Sequence, residues 1–116
     1  MQDTISPLKK LEVALSDSSD VYVNSGVDEQ RYFADLAESI RGAICEPFEI
    51  SATVMPPGFP DYALGDVISG QCVAHSDGYW LVYQPEQDRF YCFWGESPSN
   101  LGARGVSGSP LYCWSA

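Results

Sequence analysis

Histidine occurs once in the chain, at position 75, and the four cysteines (Cys45, Cys72, Cys92 and Cys113) form no C-x-x-C pair. One histidine is too few for the common mixed Cys/His zinc sites. It also leaves acid–base or thiol chemistry with a single imidazole, His75, in a segment that reads as a tight turn. No phosphate-binding G-x-x-x-x-G-K-[ST], no G-x-G-x-x-G and no H-E-x-x-H occurs. Gly105-Val106-Ser107-Gly108-Ser109 lacks the final glycine of a nucleophile elbow. Asp17-Ser18-Ser19-Asp20 lacks the ligand spacing and central glycine of a calcium loop. No catalytic constellation emerges, and neither a metal nor a cofactor is implied.

Long apolar runs are also missing, and none approaches the roughly 20 residues that span a bilayer. Met1 to Lys10 has no basic start followed by an apolar stretch, so a signal peptide is not expected and the expected location is the cytoplasm. In that compartment the four thiols are expected to be reduced and mostly buried, as small apolar residues.

Basic residues are the other scarcity. Six Lys and Arg face sixteen Asp and Glu, for a formal net charge of −10. That field repels nucleic-acid phosphates and anionic membranes and attracts cationic proteins. With sixteen carboxylates some pair will always lie close, so a catalytic carboxylate pair cannot be inferred from their number.

What is present suits one folded domain over residues 1–116. Apolar residues make up 45% of the chain and charged residues 19%, a composition that can build a core without metal or disulfide. Phe33, Leu36, Ala37, Ile40 and Ile44 fall on one stripe at the helical period, predicting a helix over about 28–44. Asp28 or Ser25 would cap it, and Pro47 would stop it. Arg31–Asp35 and Glu38–Arg41 have the spacing of helical ion pairs. Residues 7–15 fit either a helix begun by Ser6-Pro7 or a strand, with the helix favoured, and Val21-Tyr22-Val23 reads as a short strand.

Beyond the helix the pattern turns to strands. Residues 48–55 alternate, and Pro56 to Asp61 form a stiff loop. Residues 67–74, 79–84 and 89–94 are separated by turn signals at His75–Gly78 and Pro85–Asp88 and predict an antiparallel meander. Residues 96–101 fit a helical turn, 102–108 a mobile glycine loop and 111–114 a last strand. The expected fold is α+β: an antiparallel sheet of four to six strands with one main helix packed on one face.

Aromatic residues crowd the hairpin of 79–94. Alternation sends Trp80 and Val82 to one side and Tyr79, Leu81 and Tyr83 to the other, and Tyr91 and Phe93 likewise oppose Phe90, Cys92 and Trp94. Two readings are open: both faces are covered, or a tyrosine-rich face is exposed as a binding platform. In the second reading Tyr79, Tyr83 and Tyr91 anchor a basic partner, and Asp77, Glu86, Asp88 and Glu96 pair with its cations. Phe59, between prolines, is a further candidate anchor that would otherwise tuck onto the core.

In size, acidity, lack of a leader and α+β character, the chain resembles bacterial immunity proteins that neutralise toxins, nuclease toxins above all. The resemblance implies a cognate toxin domain as partner and occlusion of its cationic site as mechanism. A small regulatory or ligand-binding domain with an aromatic pocket between sheet and helix is the alternative, and a thiol or hydrolytic enzyme using His75 is the third.

Overall fold

The computed structural model describes residues 6–15, 26, 28–76 and 78–115. Two helices come first. Helix α1 (Pro7–Ala14) starts where Ser6 Oγ accepts the Lys9 N–H at 3.2 Å, with Pro7 at the first helical position. Helix α2 (Glu29–Ala43) is capped by Asp28, whose carboxylate accepts the Arg31 N–H at 3.2 Å. Helix α2 runs directly into strand β1 (Ile44–Val54), so Ile44, the last member of the predicted stripe, is strand and is about a third exposed instead of buried. The other members hold: Ala37 and Ile40 are buried, and Phe33 and Leu36 pack against the same cluster. Neither predicted ion pair within α2 is among those of the described residues. Arg41 instead reaches across to Glu12 on α1, at 3.2 Å. The strand expected at 21–23, and Ser25, lie outside the described residues.

Strands β2 (Val67–Ser76), β3 (Tyr79–Gln84), β4 (Arg89–Ser97) and β5 (Asn100–Gly108) follow as an antiparallel meander. Strands β1 and β5 then meet in parallel at Thr53–Gly102 and Val54–Ala103, and the sheet closes into a five-stranded barrel. That seam is narrow, and closure was not foreseen from the sequence.

Closure gives the sheet an inside and an outside. Ile50, Ala52, Val54, Ile68, Cys72, Trp80, Val82, Tyr91 and Phe93 fill the barrel, with Phe59 folded in from the β1–β2 loop. Val73, Ala74, Leu81, Tyr83, Phe90 and Cys92 lie on the outer surface of β2–β4, beneath Leu11 and Leu15 of α1, Ala37 and Ile40 of α2 and the C-terminal residues Leu111, Cys113 and Trp114. The helices therefore sit on one face of the sheet, as expected. Each fully buried large apolar side chain contributes roughly 1.5–3 kcal/mol.

Two expectations for the C-terminal part fail. Residues 102–108 are not a mobile loop but strand β5, and 111–114 are not a strand but lie in helix α3 (Pro110–Ser115). The glycines serve close approach. A Cβ on Gly102 would meet Met55 Sδ at 2.5 Å, and one on Gly105 would meet the Gly58 carbonyl at 2.6 Å. Helix α3 begins as α1 does, at Ser-Pro: Ser109 Oγ accepts the Tyr112 N–H at 3.2 Å. Helical geometry puts Leu111 and Trp114 on one face, and Trp114 Nε1–H donates to Ser39 Oγ at 3.0 Å. Residues 96–101 are not a helical turn; they form the ends and tight turn of the β4–β5 hairpin, in register at Ser97–Asn100.

Inside the barrel, Gly70 lies against β3, where an added Cβ would meet Val82 Cγ1 at 2.6 Å and the Tyr83 carbonyl at 2.7 Å. A Gly70→Ala substitution should therefore destabilise the domain by about 1–3 kcal/mol, because both neighbours are buried and one is backbone. Urea denaturation of the purified variant measures this. An unchanged midpoint would mean that β2 and β3 are farther apart than described.

Candidate protein-binding surface

The hairpin that the sequence singles out is β3–β4, in register from Tyr79–Trp94 to Gln84–Arg89. Its side chains alternate as predicted, and both faces are covered. Tyr91 is wholly buried in the barrel and meets Phe59 edge-on at 5.5 Å between ring centroids. Tyr83 is buried on the helical side against Phe90, at 5.1 Å. Tyr79 is half-buried, its ring packed edge-on against Trp114 at 4.8 Å. These three tyrosines and Phe59 thus serve the two cores, and the covered-hairpin reading is the one realised.

Polar atoms of those tyrosines stay engaged at the rim. The Tyr91 hydroxyl accepts from Arg89 at 3.4 Å, and Arg89 also pairs with Asp61 at 3.6 Å. Burial pushes the Tyr91 hydroxyl well above the usual tyrosine range, with the neighbouring Tyr62 hydroxyl adding to the shift. The Tyr62 hydroxyl also accepts from Gln87 at 3.0 Å and from Gln84 at 3.4 Å.

The predicted carboxylates separate into two groups. Glu86 and Asp88 lie in the Pro85–Asp88 turn, and Glu96 lies near the opposite end of β4. A strand of that length puts the two groups roughly 25–30 Å apart. Glu86 and Glu96 are exposed and form no ion pair with a described cation. Asp77 lies outside the described residues. Asp88 is exposed yet committed: its Oδ1 accepts from the Tyr83 hydroxyl at 2.5 Å and from Lys10 Nζ at 3.2 Å. It also takes a left-handed backbone, φ 51°, which aspartate tolerates better than most residues. Asp88 thus ties the hairpin turn to α1.

The wider surface follows the charge count. All twelve aspartates and glutamates among the described residues are exposed. Three of them, Glu12, Asp61 and Asp88, pair with Arg41, Arg89 and Lys10. The other nine have no ion pair with a described cation. Two of the nine are Glu46 and Glu49 on β1, which the hairpin-centred reading passed over. Glu49 falls in the stretch 48–55 that reads as a strand by its apolar alternation, and Glu46 falls just before it.

His75 is exposed and stacks on Trp80 at 4.7 Å; among the described residues no thiol is hydrogen-bonded to it. Three of the four thiols are buried and Cys45 is half-buried. No group of three or more potential metal ligands gathers among the described residues. A cleft of about 340 Å³ lies at the surface between α1, the start of β4 and the start of α3, with Lys10, Arg89 and Ser109 on its walls. No described helix is long and apolar enough to cross a membrane. Comparison of the chain with protein-family models, curated proteins and solved structures finds no match.

The Tyr83–Asp88–Lys10 contact sets a pH dependence of stability. Burial and then the Asp88 hydrogen bond raise the Tyr83 hydroxyl from 10.0 to about 12. The protonated phenol is thus favoured in the fold: its contribution is complete below pH 10 and lost as pH rises through about 12. The Tyr83 hydroxyl and then Lys10 hold Asp88 below its ordinary 3.8. That contribution is present above pH 3.8 and lost as pH falls through the lowered value. A Tyr83→Phe variant should lose about 1 kcal/mol at pH 7. Relative to wild type, its further loss between pH 10 and 12 should shrink, and the Asp88 carboxyl should titrate higher. Urea denaturation across pH and carboxyl NMR titration check the three effects. Parallel stability profiles would show the hydrogen bond to be absent in solution.

Proposed function

We propose that the chain binds a basic protein through its acidic surface, and that the partner is the nuclease-type domain of a toxin which it occludes as an immunity protein. The observation that supports this reading is the set of nine exposed carboxylates with no described cation beside them. Toxin nucleases need cationic sites because they bind phosphates, and an exposed carboxylate surface offers such a site the charge of its substrate. The aromatic residues contribute indirectly, by holding the Pro85–Asp88 turn and the β4 end in place. Contact falls to the turn and rim carboxylates Glu86 and Glu96, which are free to pair with Lys or Arg across an interface. Their separation fits within one standard interface, about 800 Å² on each partner.

The test begins with capture of the partner from the native host at low ionic strength, followed by assay of the purified pair. A basic protein whose nuclease activity is abolished by an equimolar amount of the chain is the expected result. Capture of no cationic protein, or of one whose activity the chain leaves untouched, would remove the toxin reading.

Association in the purified pair should be steered by charge. Its rate constant should fall at least tenfold between 50 and 300 mM salt, since screening shortens the reach of exposed charge to less than about 10 Å. Dissociation should change less. The double substitution Glu86→Lys, Glu96→Lys should slow association severalfold at low salt without shifting the urea midpoint, because neither side chain supports a core. A rate indifferent to both salt and substitution would make the acidity a solubility device alone.

A further inference from the structure

The function proposed above makes no use of Cys45 and Cys72, whose thiols meet at the start of β1. Cys45 Sγ lies 3.9 Å from Cys72 Sγ and 3.8 Å from the Cys72 carbonyl. Cys72 is wholly buried in the barrel, and Cys45, half-buried, packs against the same cluster from the start of β1. The backbone around both is irregular. The β1–β2 register slips between Ile44 and Phe48, so residues 45–47 of β1 face Val73 alone. The β2–β3 register slips between Cys72 and Ala74. Bulged strand is held by fewer ladder bonds than regular strand and bends more readily. The two sulfurs need to approach by about 2 Å to reach bonding distance, and they sit where the strands can give.

We propose that Cys45 and Cys72 are an oxidisable thiol pair, with Cys45 as the entry point for a hydroperoxide and Cys72 as the resolving thiol. The Cys45 thiolate attacks one peroxide oxygen and the O–O bond breaks. Cys45 becomes a sulfenic acid, and the remaining oxygen takes up from solvent the proton that the Cys45 thiol gave up on ionising and leaves as water or an alcohol. The Cys72 sulfur then attacks the Cys45 sulfur, the S–O bond breaks, and the departing hydroxide takes the Cys72 thiol proton and leaves as water. Two thiols lose two electrons and the peroxide gains them; a small dithiol reverses the change by exchange. Proximity favours the second step, which is intramolecular.

The first step is slow at neutral pH. Burial pushes both thiols up, Cys72 to about 12 with the neighbouring Cys45 adding to the shift, so little thiolate is present. The pair therefore suits sustained oxidising conditions, not rapid signalling. Cys92 on β4 and Cys113 on α3, 2% and 1% exposed, are buried between the sheet and its helices, out of a peroxide's reach. The resulting bond would tie the start of β1 to the middle of β2 across the proline-rich loop.

The test treats the full chain with hydrogen peroxide and follows intact mass and linked peptides. The expected product has lost two hydrogens, carries a single Cys45–Cys72 link and returns to the starting mass with dithiothreitol. Its formation should speed up about tenfold per pH unit from pH 7 to 8, as the thiolate fraction grows. Its melting temperature should rise by about 10 °C, the gain expected for closing a loop of this length. The half-exposed position makes Cys45→Ser tolerable to the fold, and that variant should form no link. Cys72→Ser should stop at a sulfenic acid on Cys45, trapped by dimedone; should it fail to fold, dimedone capture on the wild-type chain early in the reaction reads the same intermediate. Sulfinic acid at Cys45 without a link, a Cys92–Cys113 link in its place, or no reaction at Cys45 would each overturn the proposal.

Discussion

Burial of the β3–β4 ladder on both of its faces is the constraint from which the other elements follow. A strand sends alternate side chains to opposite sides, and here both sets are large and apolar. Trp80, Val82, Tyr91 and Phe93 point inward, while Tyr83, Leu81, Phe90 and Cys92 point outward. An open sheet would leave one set wet. Closing the sheet covers the first set with the chain's own strands, and helices α1, α2 and α3 cover the second. The narrow β1–β5 seam and the glycines that permit it are the means of closure, and the C-terminal helix supplies Leu111 and Trp114 to the other side.

The same constraint explains which features were legible in the sequence. Helix α2 and the meander could be read because each carries one period over many residues: 3.6 from Phe33 to Ile40, and 2 along β3 and β4. Helix α3 could not, because six residues hold fewer than two turns, and Leu111 with Cys113 mimics alternation. The signal that would have found it was Ser109-Pro110, which repeats the Ser6-Pro7 start of α1. Strand β5 was hidden for a different reason. Glycine is poor evidence for a strand from local preference, yet Gly102 and Gly105 are required by Met55 and Gly58, residues some 50 positions earlier. Close approach between distant segments leaves no local trace.

At the candidate surface, residue type was legible and role was not. The acidic and aromatic residues of the hairpin were found together, but a tyrosine reads alike whether it anchors a partner or a core. Alternation sorted the residues into two faces without saying that each face had a cover. Asp88 shows the same ambiguity among carboxylates. Its turn position suggests a free charge, while its partners Tyr83 and Lys10 come from a strand and a helix that only folding brings together.

The acidity itself has more than one cause, and the fold separates them. Pairing of β1 with β5 extends no further than Thr53–Gly102 and Val54–Ala103 in the described register, so the earlier part of β1 has an edge that β5 does not cover. An uncovered edge invites another strand, and charge, proline and irregular register are what discourage one. Glu46, Pro47 and Glu49, with the slip between Ile44 and Phe48, supply all three. Their charge has a purpose within the chain, whatever else the protein meets. Glu86 and Glu96 have no such purpose. They lie in or beside turns of a hairpin whose neighbours on both sides are already paired, and they support neither a core nor an ion pair with a described cation. Charge that the fold does not need is where selection by a partner would show, and these two positions carry it.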